Sequence, residues 1–206
     1  MIPSNVKNII FDLGGLLIKI DYNKSVEAFR KLGMQNFDVI YSKMQQSTLF
    51  DLLETGKISE ADFIHELKQH LPSEITEQQI LDAWNSMLLH WSVENLNLVK
   101  ELKKKYNLFL FSNTNSIHQA AFFKLLEQEI GEKDLSDYFV KTYYSHEFGM
   151  RKPNEASFKQ IIDNHQLNSD ETLFLDDSEQ HIVGARKAGI QAIHIETNGD
   201  LAYLFS

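Results

Sequence analysis

The chain contains no cysteine. Disulfides, thiolate metal sites and cysteine nucleophiles are therefore excluded. Proline is scarce, with 3 in 206 residues. Pro3, Pro72 and Pro153 all fall where an element would have to end. Positive charge is also in deficit: 20 Lys and Arg against 29 Asp and Glu leave a formal charge of −9. Nothing in that balance attracts nucleic acid or an anionic membrane surface, so any phosphate must be held by a local arrangement. No apolar run approaches the ~20 residues needed to span a bilayer. The opening MIPSNVKN lacks the basic segment and long apolar stretch of a signal peptide. These absences lead us to expect a cytoplasmic protein without nucleic-acid or membrane partners.

At 43% hydrophobic and 24% charged, the composition is that of an ordinary globular protein. Short apolar runs rich in β-branched and aromatic residues occur at Asn8–Leu13, Leu108–Ser112, Thr172–Asp177 and Gln191–Ile195, with a further strand expected near Val140–Tyr144. Each suits a strand buried on both faces. Helix-period segments over 93–105, 116–128, 154–165 and 178–188 alternate with them. The pattern predicts a Rossmann-like α/β core, a parallel sheet flanked by helices. The span 21–91 reads differently. No buried strand stands out, and helices are expected over 23–32, 37–46, 48–54, 59–70 and 76–89. Ser59-Glu-Ala-Asp62 and Thr76-Glu-Gln-Gln79 look like capping boxes. The expected division is a core of residues 1–20 and 92–206 interrupted by a helical cap at 21–91.

Polar groups cluster at the carboxyl ends of the expected strands, where open α/β sheets bind ligands. They are Asp12, Ser112, Asn113, Asp176 and Asp177, joined by Lys152 in GMRKP. Crowded carboxylates repel one another and need a cation. Oxygen-only ligands favour a hard ion, and Mg²⁺ takes one or two carboxylates, waters and a substrate phosphate. Lys152 offers a charge to carboxylate and phosphate alike, and Ser112 offers a hydrogen bond. Asp12 could then act as a nucleophile through an aspartyl-phosphate. Taken singly, each residue also has a plain role: Asp12 as a turn residue, Ser112 and Asn113 as helix caps, Lys152 as a solvated side chain.

DLGG, FSNTN, GMRKP and LDDSEQHIVGARKAGI, in this order, resemble the four motifs of the haloacid-dehalogenase-like hydrolases, and the resemblance covers the whole chain. The inserted helices are similar to that family's small helical cap, and the sugar-phosphate phosphatases are the nearest type, among them the α-glucose-1-phosphate phosphatases of bacteria. The resemblance implies a Mg²⁺-dependent phosphatase for a small phosphorylated metabolite, as a monomer or small homo-oligomer. It implies metal ligation by Asp12, the backbone carbonyl of Gly14 and Asp177, with Asp176 in support. Ser112 and Asn113 would grip the phosphate, and Lys152 would bridge phosphate and nucleophile.

One position departs from the family pattern. Two residues after the nucleophile, most of these phosphatases carry a second aspartate as general acid and base. Here it is Gly14. Three readings follow: a leaving group that needs little help, such as an anomeric oxygen; a substitute donor such as Asp21, a cap residue or metal-bound water; or a silent phosphometabolite-binding protein. A phosphomutase on the same scaffold is a further alternative. The eight histidines show no metal-ligand clustering and read mostly as surface or structural, with His118 and His146 nearest the motifs. Trp84 and Trp91 read as cap or hinge packing.

Overall fold

A computed structural model describes residues 2–35, 37 and 49–205. In chain order the strands are β1 (Asn8–Phe11), β2 (Ile18–Ile20), β3 (Leu88–Trp91), β4 (Asn107–Ser112), β5 (Lys141–Tyr144), β6 (Thr172–Asp176) and β7 (Gln191–His194). The described helices are α1 (Tyr22–Lys31), α2 (Leu49–Glu54), α3 (Glu60–Lys68), α4 (Glu77–Asn85), α5 (Val93–Leu102), α6 (Ser116–Ile130), α7 (Ser145–Phe148), α8 (Glu155–His165) and α9 (Glu179–Lys187).

Five parallel strands form one sheet in the order β5-β4-β1-β6-β7. Alternation along each strand feeds two separate apolar layers. Ile9, Phe11, Leu108, Leu110, Leu173 and Leu175 pack on one face, and Ile10, Phe109, Phe111 and Phe174 on the other. Both faces are thus covered, which is why these segments read as continuous apolar runs. β1 lies at the centre, with Phe11 level with Leu110 on one side and Leu175 on the other. That register brings the residues after β1, β4 and β6 out at one edge. The chain fills one side of β1 with β4 and β5, then crosses to the other for β6 and β7, which makes the edge beside β1 a switch point.

Between β2 and β3 the chain forms a second helical body. Phe29, Phe50, Phe63, Ile80 and Trp84 build its core. Phe63 meets Trp84 edge-on at 4.9 Å, and Phe29 stacks on Phe37 at 4.5 Å. Both expected capping boxes form: Ser59 with Asp62 opens α3, and Thr76 with Gln79 opens α4. The expected helix over 37–46 lies outside the described residues apart from Phe37.

The expectation for 76–89 is corrected. α4 ends at Asn85, and Leu88–Trp91 runs antiparallel to Ile18–Ile20. β3 is four residues long, is interrupted by the exposed His90, and is fully buried only at Trp91, so it leaves no long apolar run. Its extended shape comes from pairing with β2, a partner distant in sequence. The two strands carry the chain out of the core and back.

Helical body and core meet along α6. Ile117 belongs to the apolar cluster of the helical body. His118 stacks on Trp84 with ring centroids 5.1 Å apart and planes within 7°. Its Nδ1 lies 2.8 Å from the Asn85 side-chain oxygen. Burial pushes the His118 pKa down to about 3, so the folded protein holds the ring neutral. An unfolded chain takes up that proton near pH 6.5, so this contribution is intact above pH 6.5 and is lost as pH falls toward 3. Between pH 7 and pH 5, His118→Phe is expected to lose about 2 kcal/mol less stability than the native chain. Urea denaturation at the two pH values checks this.

Candidate active site

Lys152 follows α7 on a loop that turns inward. Its side chain is fully buried, an expensive place for an ammonium group. Nζ donates to Asp12 Oδ1 and to Asp176 Oδ2, both at 2.7 Å. It also lies 5.5 and 5.3 Å from the ring centroids of Phe111 and Phe174, within cation–π range. The Lys152 backbone is held by Asn113, whose side-chain oxygen accepts from Lys152 N at 2.9 Å and whose Nδ2 donates to Lys152 O at 2.8 Å. Ser145 ties the start of α7 to the same stretch, accepting from Thr114 N and donating to Thr114 O, both at 2.9 Å. The loop also needs Gly184 on α9, because a Cβ there would lie 2.3 Å from the Pro153 carbonyl oxygen.

The two carboxylates on Lys152 differ. Asp176 is fully buried, and its Oδ1 also accepts from Ser178 N at 2.7 Å. His181 Nδ1 lies 2.9 and 3.0 Å from the two Asp176 oxygens. Burial alone would raise Asp176, but Lys152 and His181 together hold it below the usual carboxylate range. Asp12 has Lys152 alone. Burial first, then the Asp176 charge, push Asp12 up to about 8 against the pull of Lys152. For Lys152 itself, burial opposes its charge, while Asp12 and Asp176 outweigh burial and raise its pKa.

Asp12, Gly14, Ser112, Asn113, Lys152 and Asp177 line one cavity of about 860 Å³, roofed in part by Trp84, Asp51 and Glu54 of the helical body. Asp176 lies beneath it. The Ser112 hydroxyl forms no hydrogen bond among the described residues. Asp177 reaches the cavity because residue 15 has no side chain: a Cβ there would fall 2.2 Å from Asp177 Oδ2. Gly15 also has φ +72°, which disfavours any other residue.

The donor set suits a hard divalent cation. Three carboxylates (Asp12, Asp176 and Asp177) face one ammonium, so negative charge is in excess. Burial and Asp176 both push Asp177 upward, the sign of a carboxylate short of a counter-charge. The Gly14 carbonyl accepts no hydrogen bond among the described residues, although its neighbours pair with Ile18. Asp12, Asp176 and His181 also present ligand atoms within 4.8 Å of one another. The position between Asp12 and Asp176, however, is held by the Lys152 ammonium.

The haloacid dehalogenase-like hydrolase model matches residues 9–195. This chain belongs to that family. It is 32% identical over 195 residues to the D-ribitol-5-phosphate phosphatase of Bacteroides thetaiotaomicron, covering 95% of this chain and 94% of the relative. A family enzyme from the same organism, solved with magnesium and inorganic phosphate, is 35% identical with a TM-score of 0.87. That alignment covers 98% of this chain and 100% of that one. A HAD-like hydrolase from Porphyromonas gingivalis is 30% identical with a TM-score of 0.86, over 98% and 97% of the two chains. The resemblance to α-glucose-1-phosphate phosphatases in particular is not among these findings.

For this HAD-like hydrolase the structure brings all the sequence-derived residues together, with two changes of emphasis. The Asn113 side chain is spent on the Lys152 backbone, so only its backbone N–H, which has no partner among the described residues, is left to meet a ligand. The Asp176 oxygens are spent on Lys152, Ser178 N and His181. Asp21, one candidate for a substitute donor, caps α1 by accepting from Asn23 N at 3.0 Å and does not line the cavity. Three further residues lining the cavity lie outside the sequence-derived set: His181, Arg151 and Glu54. His181 was readable, since LDDSEQH puts it one turn beyond the aspartates on the following helix. Arg151 stood beside Lys152 in a quoted motif. Glu54, within the helical body, carried no signal.

Lys152→Met keeps much of the volume but, among the described residues, leaves the Asp12 side chain without a partner and Asp176 with only His181 and Ser178 N, and a loss of about 3–5 kcal/mol is expected in denaturant unfolding. The adjacent glycines should separate cleanly. A Cβ at residue 14 would meet only Ile20, at 3.5 Å, so Gly14→Ala is expected to be neutral or stabilising by up to about 1 kcal/mol. Gly15→Ala, strained and pressed on Asp177, is expected to cost about 2 kcal/mol or more in the same measurement.

Proposed function

We propose that the chain is a Mg²⁺-dependent phosphatase for a small phosphorylated metabolite, a sugar or sugar-alcohol phosphate. The observation that carries the reading is the Lys152 ammonium held between Asp12 and Asp176 at the floor of a cavity. Asp12 Oδ1 takes the Lys152 hydrogen bond, which leaves Oδ2 as the attacking atom. Asp12, the Gly14 carbonyl and Asp177 would hold Mg²⁺, with Asp176 supporting the cluster through Lys152 and His181. Bound there, the ion would supply positive charge to Asp12 and to the phosphate oxygens as negative charge develops. Ser112 and the Asn113 backbone N–H would donate to those oxygens, and Lys152, bonded to Asp12, would add its positive charge beside the phosphate. Asp12 attacks phosphorus, the bond to the leaving oxygen breaks, and water then hydrolyses the aspartyl-phosphate.

Residues 21–91 are proposed as the cap, hinged on the β2–β3 pair, with 1–20 and 92–206 as the catalytic core. Closing the cap excludes water and selects the leaving group. The D-ribitol-5-phosphate phosphatase relative supports a polyol phosphate as the substrate class. A cytoplasmic setting is part of the proposal; among the described residues no helix is long and apolar enough to cross a membrane.

A panel of sugar and sugar-alcohol phosphates, assayed with Mg²⁺ and with chelator, tests the reading. Chelator-sensitive phosphate release is expected for at least one member. Its absence from all of them, with folded protein, would move the chain to a silent binding role; sugar-bisphosphate formation would mark a mutase. Asp12→Asn is expected to lower kcat by about 10³-fold or more, with the melting temperature preserved because Lys152 retains an oxygen partner.

A further inference from the structure

Gly14 leaves the proposed phosphatase without the carboxyl that would protonate a leaving alkoxide. Nothing steric at residue 14 requires this, since a Cβ there has room. The donor has to come from elsewhere in the cavity.

The reaction's geometry says where. Attacking and leaving oxygens are roughly in line across phosphorus. With Asp12 at the floor, on the sheet edge, the leaving oxygen emerges toward the helical body. Glu54, the last residue of α2, lines the cavity from that side. Its neighbour is Arg151, one residue before Lys152. The guanidinium is shared: Nη1 pairs with Asp51, and Nε lies 3.0 Å from Glu54 Oε2. One positive charge therefore serves two carboxyls one helical turn apart.

The two are unequal. The Asp51 side chain is 56% exposed, and water can stabilise its charge. Glu54 Oε2 is sealed from solvent and has no properly directed hydrogen bond, and neither does Arg151 Nε. The Glu54 side chain is 23% exposed, and where two carboxyls share one cation the less exposed one holds a proton more readily. Burial, helped by Asp51, raises Glu54 against the pull of Arg151 and Lys152.

Of the other titratable groups lining the cavity, Tyr22 is 60% exposed, and the histidines and Asp177 are committed elsewhere. His118 is neutral and stacked on Trp84. His181 is bound to Asp176. Asp177 belongs to the metal cluster proposed above.

We propose that Glu54 is the general acid and base of this enzyme, supplied by the cap in place of a carboxyl at residue 14. Arg151 is its positioning residue. As Asp12 bonds to phosphorus, the phosphorus–oxygen bond to the leaving group breaks and that oxygen takes the Glu54 proton, leaving as the alcohol. The Glu54 carboxylate then takes a proton from water as the water oxygen attacks the aspartyl-phosphate. The bond from phosphorus to Asp12 breaks, phosphate departs, and both carboxyls regain their starting states. Because the donor rides on α2, it is in place only when the cap is closed.

The inference rests on the phosphatase reading, and the test separates the two. Native protein and Glu54→Gln are compared on p-nitrophenyl phosphate, whose phenolate leaves without a proton, and on D-ribitol 5-phosphate, whose alkoxide does not. For ribitol phosphate, Glu54→Gln is expected to lower kcat/KM by about 10²-fold or more. For p-nitrophenyl phosphate, first-turnover release of p-nitrophenolate should stay within about three-fold of native. A slow steady state should follow, because the second step has lost its base. Equal losses in first turnover on both substrates would make Glu54 structural and overturn the proposal. Ribitol phosphate hydrolysis within about three-fold of native would overturn it too. Native protein inactive, with Mg²⁺, on both and on every member of the panel above would sink the phosphatase reading itself; where another panel member turns over faster, it takes the place of ribitol phosphate in the comparison.

Should Glu54→Gln fail to fold, the native enzyme carries the test through a series of aryl and alkyl phosphates. A shallow dependence of kcat/KM on leaving-group acidity supports a working acid, and a steep one overturns it.

Discussion

A fully buried ammonium group at Lys152 organises this protein. Removing such a charge from water is costly, and two carboxylates at 2.7 Å together with two aromatic faces offset the cost. The arrangement holds only if the Lys152 backbone is fixed. Asn113 fixes it with a reciprocal pair of hydrogen bonds, and Gly184 lets α9 close against the same loop. Residues from four segments far apart in sequence are locked together by one cation. The same lock orients Asp12, leaving one oxygen bound and the other directed at the cavity.

The sheet makes this convergence possible. Parallel strands in register deliver β1, β4 and β6 to one edge, so Asp12 and Asp176 emerge side by side and Ser112 follows one residue further along β4. Both faces are sealed by apolar layers, leaving the edge as the place where polar groups meet solvent. The helical body then roofs the edge, anchored by stacking of Trp84 on His118 and by Arg151 between Asp51 and Glu54. A cavity of about 860 Å³ is ample for a small phosphorylated metabolite.

The site divides its chemistry between two bodies. Nucleophile, lysine and proposed metal ligands belong to the core. The proposed proton donor belongs to the cap, next to the surfaces that meet the leaving group. On that proposal Gly14 becomes intelligible: it would contribute a carbonyl, and the acid function would lie on the cap. In such an enzyme, cap closure would switch on proton transfer as well as exclude water.

Much of this was readable from residue order. Buried parallel strands leave continuous apolar runs, helices leave a 3.6-residue period, and capping boxes at Ser59 and Thr76 mark helix starts through local hydrogen bonds. Charged residues at strand ends announced the floor of the site, because a sheet edge is fixed by its own strands. β3 was not readable, since its extended form depends on pairing with β2 across the helical insertion. The separate duties of Asp176 and Asp177 were legible only through the family resemblance, which set Asp176 in support of Asp177; the two residues by themselves look alike, because adjacent positions point to opposite faces and only packing decides which one meets Lys152. Glu54 was hidden most completely. A glutamate at a helix end is ordinary in sequence, and its burial, its unmet oxygen and its share of Arg151 exist only once cap and core have come together.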